Sequence, residues 1–137
     1  MNNHDLVVIG AGFSGIAMTI AAKAAGRDVI VLERADEIGG TWRDNRYPGV
    51  ACDIQSHLYS YSFELNPDWS RAYAPGDEIQ DYLLYVVEQY DVRRHVRFGA
   101  DVQQAWFDEE TSRWEVAFTG PEGRLETISC RDLVLAV

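Results

Sequence analysis

Gly10-Ala11-Gly12-Phe13-Ser14-Gly15 decides how this chain is read, because of what stands on either side of it. The apolar run Leu6-Val7-Val8-Ile9 precedes the glycines and the alanine-rich stretch Ile16 to Ala25 follows them, so a strand passes through a tight turn into a helix. Gly10 permits the turn, Gly12 lets backbone come close to a phosphate, and Gly15 lets the helix pack hard against its strand. Ser14 opens that helix, whose unpaired N–H groups sit at its positive end and suit the pyrophosphate of a dinucleotide. A glycine triplet of this form also arises by chance, so the reading depends on its surroundings.

The surroundings agree with it. Residues 5 to 9 read as a buried parallel strand and 14 to 25 as a helix whose small residues allow close approach to a sheet, with Gly26 as the stop. Asp28 to Leu32 is a second buried strand ending at Glu33, at the spacing from the glycine turn where an acid takes the ribose hydroxyls of the adenosine half. An acid at a strand end is often only a solvated charge, and the β-turn-α-β setting is what favours the ribose reading here. A carboxylate at that place repels a 2′-phosphate, so the first site suits FAD or NAD better than NADP.

From Ala35 to Asp77 regular periodicity fades into Gly, Pro, Trp, Tyr and Asp. Structureless stretches this long inside a domain are commonly functional. Gly39-Gly40 lets backbone approach a ligand, Thr41 offers a hydroxyl and Trp42 a flat apolar face, together suiting a large aromatic ring system. Tyr47, Tyr61, Phe63, Trp69 and Tyr73 read as the packing of this loop region, with Tyr59 singled out for the ligand. His57 has no visible partner and reads as a satisfied polar group.

Pro75-Gly76-Asp77 announces a helix capped by Asp77, with Ile79, Tyr82, Leu83, Val86, Val87 and Tyr90 on one buried face. Arg93-Arg94-His95-Val96-Arg97 reads as the solvated end of a helix. Residues 96 to 107, 113 to 119 and 125 to 128 predict an antiparallel meander whose apolar side faces the main sheet, and 132 to 137 a third parallel strand. The fold expected is α/β and Rossmann-like, with a parallel sheet and a β-meander.

The chain has 137 residues, 47% hydrophobic and 25% charged, enough for one domain with a real core. Its formal net charge of -10 argues against a nonspecific grip on nucleic acid or on an anionic membrane surface. Cys52 and Cys130 form neither a C-x-x-C pair nor a zinc-spaced set, and read as buried thiols in a cytoplasmic setting; no metal site is expected. No apolar run approaches the roughly 20 residues that span a bilayer, and Met1-Asn2-Asn3-His4-Asp5 reads as a start without a leader.

Taken in order, Gly10 to Gly15, Glu33, Gly39-Gly40-Thr41-Trp42, Asn45-Arg46-Tyr47-Pro48-Gly49, Cys52-Asp53 and Tyr59-Ser60-Tyr61-Ser62-Phe63 resemble the N-terminal FAD-binding part of the Baeyer-Villiger monooxygenases, within the flavin-containing monooxygenase group. The resemblance implies that Gly10, Gly12, Ser14 and Gly15 hold the FAD pyrophosphate and Glu33 its ribose. It implies that Gly40, Thr41, Trp42, Arg43 and Asp44 lie along the FAD, that Tyr59 packs near the flavin and that the Val102 backbone meets the adenine. Arg43-Asp44 departs from the aromatic pair common in the family at this point. Ala51-Cys52-Asp53 resembles a segment facing both FAD and NADP.

Asp53 is the catalytic residue the resemblance implies, holding an arginine from a later NADP domain. In the family NADPH reduces the flavin, O2 adds to give a C4a-peroxyflavin, and the peroxide attacks a ketone to give an ester or lactone. The other reading of Asp53 is that it ties down its own loop. Because 132 to 137 ends where an open α/β sheet should lead into its site, residues 1–137 are expected to be an N-terminal FAD-binding domain without its NADP domain and C-terminal remainder. Alternatives are an N- or S-oxygenating flavin monooxygenase, a non-catalytic nucleotide-binding module and a plain NAD dehydrogenase.

Overall fold

A computed structural model describes residues 3–137; Met1 and Asn2, part of the start read as leaderless, lie outside the described residues. Strand β1 (Asn3–Ile9) lies parallel to β2 (Val29–Glu33), with Leu6 opposite Val29 and Ile9 opposite Leu32. Helix α1 (Phe13–Ala24) connects them. It stops at Gly26, whose φ of +69° suits glycine and whose N–H reaches the Lys23 carbonyl, while the Arg27 N–H reaches that of Ala22.

Both faces of β1 are buried, as the unbroken apolar run requires. Leu6 and Val8 face a core built with Ile16 of α1 and with Tyr82, Leu83, Val86 and Val87 of α3 (Gly76–Gln89). Val7 and Leu32 face a second core with Val116, Phe118, Ile128 and Cys130. The meander therefore covers the far face of the sheet, as its alternation predicts.

Its connection differs from the sequence reading. The stretches 125 to 128 and 132 to 137 are not two strands: β6 (Leu125–Leu135) is continuous, antiparallel to β5 (Arg113–Thr119) through Cys130 and parallel to β1 from Ser129 onward. Conversely, 96 to 107 is two strands. Gly99, at φ +66°, ends β3 (Val96–Phe98), parallel to β2, and the chain restarts as β4 (Asp101–Asp108), antiparallel to β5. One six-stranded sheet results, in the order β3-β2-β1-β6-β5-β4.

Three smaller expectations change. The cap of α3 is Pro75, whose carbonyl takes the Ile79 N–H; Asp77 lies inside the first turn, where it and Glu78 complement the helix dipole. The basic run is a short turn at Arg93–His95 followed by β3, not a solvated helix end, because acids stand on both sides of it. Arg93 pairs with Glu37 and Glu88, and Arg97 pairs with Glu126 and stacks over Phe118 at 4.7 Å. In the long loop, Tyr61 and Trp69 pack against the first core, whereas Tyr47, Phe63 and Tyr73 are exposed rather than interior.

Candidate dinucleotide site

The glycine turn follows β1 at the carboxyl end of the sheet, and its three glycines have different reasons to be there. Gly10 has φ +99°, and a Cβ on it would stand 2.6 Å from the Ala136 carbonyl oxygen. A Cβ on Gly15 would stand 1.9 Å from the Gly10 carbonyl oxygen, so the helix can lie this close only with glycine. Gly12 has no such demand from the chain: a Cβ there would touch only Gly40 Cα, at an ordinary 3.9 Å. Its bareness is of use to something outside the chain. No side chain caps α1 and no acid stands in its first turn, which leaves the N–H groups around exposed Ser14 free for an anion.

Glu33 ends β2 facing this turn and is only 5% exposed. One carboxylate oxygen accepts the Ala11 N–H at 2.8 Å, the other the Ala35 N–H at 2.9 Å, and Arg43 pairs with the latter oxygen at 3.2 Å. A carboxylate has about four acceptor positions, so the group is fixed in place with acceptor capacity left. Arg43 also donates to the Glu37 carbonyl and makes a two-point pair with Asp44. The Asp44 bond, above all, holds its guanidinium protonated above the ordinary arginine value, and in return Arg43 lowers the Asp44 carboxyl. Arg43 and Asp44 thus form an ion network anchored on Glu33.

Gly40, at φ +54°, turns the chain into the one-turn helix α2 (Thr41–Asp44) and lies against Gly12. Gly39 bonds its N–H to the Ala11 carbonyl, and behind it Gln80 of α3, buried, donates to the Ile38 carbonyl. Trp42 donates its indole N–H to the Tyr59 hydroxyl at 3.1 Å, ring edge to ring face. Burial pushes the Tyr59 phenol up, against the lowering effect of that bond.

These parts line one crevice of about 680 Å³ beyond the carboxyl ends of β1, β2 and β6. It brings together Gly10, Gly12, Ser14, Glu33, Gly40, Thr41, Trp42, Arg43, Asp44, Tyr59 and Val102, with Gly15 behind the turn. Val102 pairs with Phe118 just before β4 slips register against β5, with Gln103 the extra residue. Ala51, Cys52 and Asp53 stand apart from this crevice. Ala51 bridges to Pro75 and lines a neighbouring hollow, and Cys52 is buried with its N–H on the Ala74 carbonyl. Asp53 is exposed, and no side-chain hydrogen bond or ion pair of it occurs among the described residues.

Sequence reading missed Arg34, Asp101 and Ala136, which also line the crevice, and Gln80 behind Gly39. Arg34 and Asp101 flank named residues and carried a signal by adjacency alone. Gln80 was visible as a polar residue on the apolar face of α3.

Fold and crevice define a Rossmann-like dinucleotide-binding domain, and the family model for the NAD(P)-binding Rossmann-like domain matches residues 8–75. The chain is 46% identical over 112 residues to a Baeyer-Villiger monooxygenase of Streptomyces coelicolor, covering 81% of this chain and 22% of that protein. It is 41% identical to one of Pseudomonas aeruginosa over 81% of this chain and 21% of that one. A cyclohexanone monooxygenase from Rhodococcus sp. Phi1, solved with NADP+, superposes with a TM-score of 0.91 at 40% identity, over 99% of this chain and 26% of its own. A steroid monooxygenase bound to NADP gives 0.90 at 40% identity, over 98% and 26%. The chain is similar to the N-terminal part of these Baeyer-Villiger, cyclohexanone and steroid monooxygenases and spans about a fifth to a quarter of their length. No helix among the described residues is long and apolar enough to cross a membrane.

Proposed function

We propose that this chain is the FAD-binding N-terminal domain, residues 1–137, of an NADPH-dependent flavin monooxygenase that inserts one oxygen atom of O2 into a ketone. The observation that carries the reading is the single crevice in which an uncapped helix start, a fixed buried carboxylate and an aromatic wall follow one another. Gly10, Gly12, Ser14 and Gly15 would take the pyrophosphate, Glu33 the ribose hydroxyls, and the Val102 backbone the adenine. Gly40, Thr41, Trp42, Arg43, Asp44 and Tyr59 would border the rest of the cofactor. The residues present fit FAD: bare backbone at Gly12 and Gly40 leaves room for phosphate, and the Glu33 carboxylate has acceptor capacity for a ribose hydroxyl but repels a 2′-phosphate.

FAD so bound would supply electron acceptance from NADPH and activation of O2. The chain's own part is to hold the cofactor, shield one side of it with Trp42 and Tyr59, and present Asp53. Cys52 and Ala51, pinned to Ala74 and Pro75, hold Asp53 outward, free to orient a guanidinium from the NADP-binding part of the enzyme by a charge-assisted pair. Positive charge preorganised at the oxygen-transfer step is worth several kcal/mol. Ala51 and Cys52 would border the NADP side, and a cytoplasmic location, where NADPH is supplied, goes with the reading.

Titration of FAD against the 137-residue chain tests the cofactor, with retained visible absorbance expected. In an enzyme of the relatives' full length carrying this segment, a cyclic ketone should give a lactone and Asp53→Ala should abolish it while FAD stays bound. A thioether oxidised in preference to the ketone would assign the reaction to an S-oxygenating enzyme instead.

A further inference from the structure

We propose that the aromatic side chains between the crevice and the outer end of α3 form a hole-transfer route that carries a one-electron oxidising equivalent from Trp42 and Tyr59 to Tyr85 and Tyr90. The route rests on the flavin reading for the origin of the oxidant alone. Its ring contacts are continuous as far as Tyr90, and Tyr85 joins through the Glu64 carboxylate that it shares with Tyr90. Trp42 meets Tyr59 at 5.8 Å between ring centroids and is hydrogen-bonded to it; Tyr59 meets Phe13 at 5.0 Å and Phe13 meets Tyr61 at 5.1 Å. Tyr61 stacks on Phe63 at 4.9 Å and 10°, and Phe63 meets Tyr90 at 5.4 Å. A branch joins Tyr61 to Tyr82 at 6.0 Å and Tyr82 to Trp69 at 5.4 Å.

The hydroxyl partners set the direction. A phenol loses an electron readily only when its proton leaves with it, and a backbone carbonyl is too weak a base to keep that proton. Tyr61 donates to the Phe13 carbonyl and Tyr82 to the Glu64 carbonyl, so neither is a resting place for the hole. Tyr90 and Tyr85 reach the two carboxylate oxygens of Glu64, at 2.9 and 3.3 Å; Tyr90 also stands 3.2 Å from the Phe63 carbonyl, with the carboxylate the nearer and more basic acceptor, and Tyr85 is 49% exposed. The hole therefore settles at the end of the series that faces solvent.

The oxidant is an excited or oxygen-derived one-electron oxidant formed in the crevice. An electron from Trp42 or Tyr59 reduces it. An electron from Tyr90 refills that vacancy as the Tyr90 proton passes to the Glu64 carboxylate, leaving a tyrosyl radical beside a carboxylic acid. A soluble thiol gives a hydrogen atom to Tyr90, becoming a thiyl radical, and Glu64 returns its proton to water. The crevice wall is thus spared irreversible oxidation of Trp42.

The test needs no flavin. In a Trp106→Phe/Trp114→Phe background, the remaining two of the four tryptophans both belong to the route. Azide radicals generated by pulse radiolysis oxidise these indoles. The expected result is first-order decay of the indole radical, independent of protein concentration, with matching growth of tyrosyl absorbance. Tyr85→Phe/Tyr90→Phe should abolish the growth phase, and Glu64→Gln, which keeps the shape but takes no proton, should slow it at least tenfold. Decay without tyrosyl growth in the parent, or growth unchanged in the double variant, overturns the route. Failure of the chain to bind FAD would overturn the function proposed above and leave the radiolysis result to decide the route by itself.

Discussion

Replacing Glu33 by alanine separates what this carboxylate does for the fold from what it does for a dinucleotide. In the chain alone the change removes the acceptor of two backbone N–H groups, Ala11 and Ala35, and one partner of Arg43. A buried donor left without a partner costs about 1–3 kcal/mol, and Arg43 keeps Asp44 and the Glu37 carbonyl. The variant should lose about 2–5 kcal/mol of stability, which at ~2–4 °C per kcal/mol lowers Tm by roughly 5–20 °C. The bound state loses in addition the hydrogen bonds from ribose hydroxyls to a charged acceptor, ~1.5–3 kcal/mol. At about 1.4 kcal/mol per factor of ten, FAD affinity should fall roughly 10- to 100-fold. Thermal melts with and without FAD read both quantities, and flavin titration at a temperature where the variant is folded reads the second alone. A variant that melts lower as expected yet binds FAD within about twofold of the parent would refute the ribose assignment and leave Glu33 a purely structural clamp.

Gly12→Ala should leave Tm nearly unchanged, since its Cβ meets only an ordinary 3.9 Å contact, but should abolish FAD retention. Gly15→Ala should destabilise the chain itself by about 3 kcal/mol or more, because its Cβ would lie 1.9 Å from a carbonyl oxygen; urea melts distinguish the two. Burial holds the Tyr61 phenol above its ordinary value, with Tyr82 and Tyr59 adding to the shift. Below about pH 10 folded and unfolded states are equally protonated. Above it the unfolded chain releases this proton and the folded one keeps it, so stability should fall by ~1.4 kcal/mol per pH unit for this one group. Tyr61→Phe should flatten that alkaline slope in denaturant melts. Cys130 is fully buried and its thiol is pushed up mainly by that burial, so it should resist alkylation until the chain unfolds.

What could be read from the sequence was what local chemistry dictates. The glycine turn, α1, β2 and the Glu33 position follow from an apolar run, small residues and a fixed spacing, and each stands where expected. The errors fall where pairing partners far along the chain decide. Nothing within 125 to 135 announces that one strand serves two neighbours of opposite direction; β1 and β5 impose that. The run 93 to 97 looked solvated because Glu37, Glu88 and Glu126, which neutralise it, are distant in sequence. In the long loop the aromatic residues are not interchangeable: Tyr61 is anchored by a bond to the Phe13 carbonyl, while Tyr47 is 61% exposed. Composition cannot tell such neighbours apart.

Arg43-Asp44 gives this part of the crevice wall an ionic framework. An aromatic pair would give a crevice wall its shape by packing. Here Arg43, whose side chain is 11% exposed, reaches across from α2 to the end of β2 and ties the Gly40 turn to the acid expected to meet the ribose. Asp44 keeps the cation from being a lone charge at that depth, and the Glu37 carbonyl takes one more of its donors. The carboxylate is consequently oriented by three donors before any ligand arrives, and the ligand need not spend binding energy ordering it. Arg43→Met, which keeps length and removes the charge, should therefore weaken FAD binding through loss of this order. Its expected signature in calorimetry is a less favourable binding entropy alongside the lost affinity; unchanged FAD affinity would show that Ala11 and Ala35 suffice to hold Glu33.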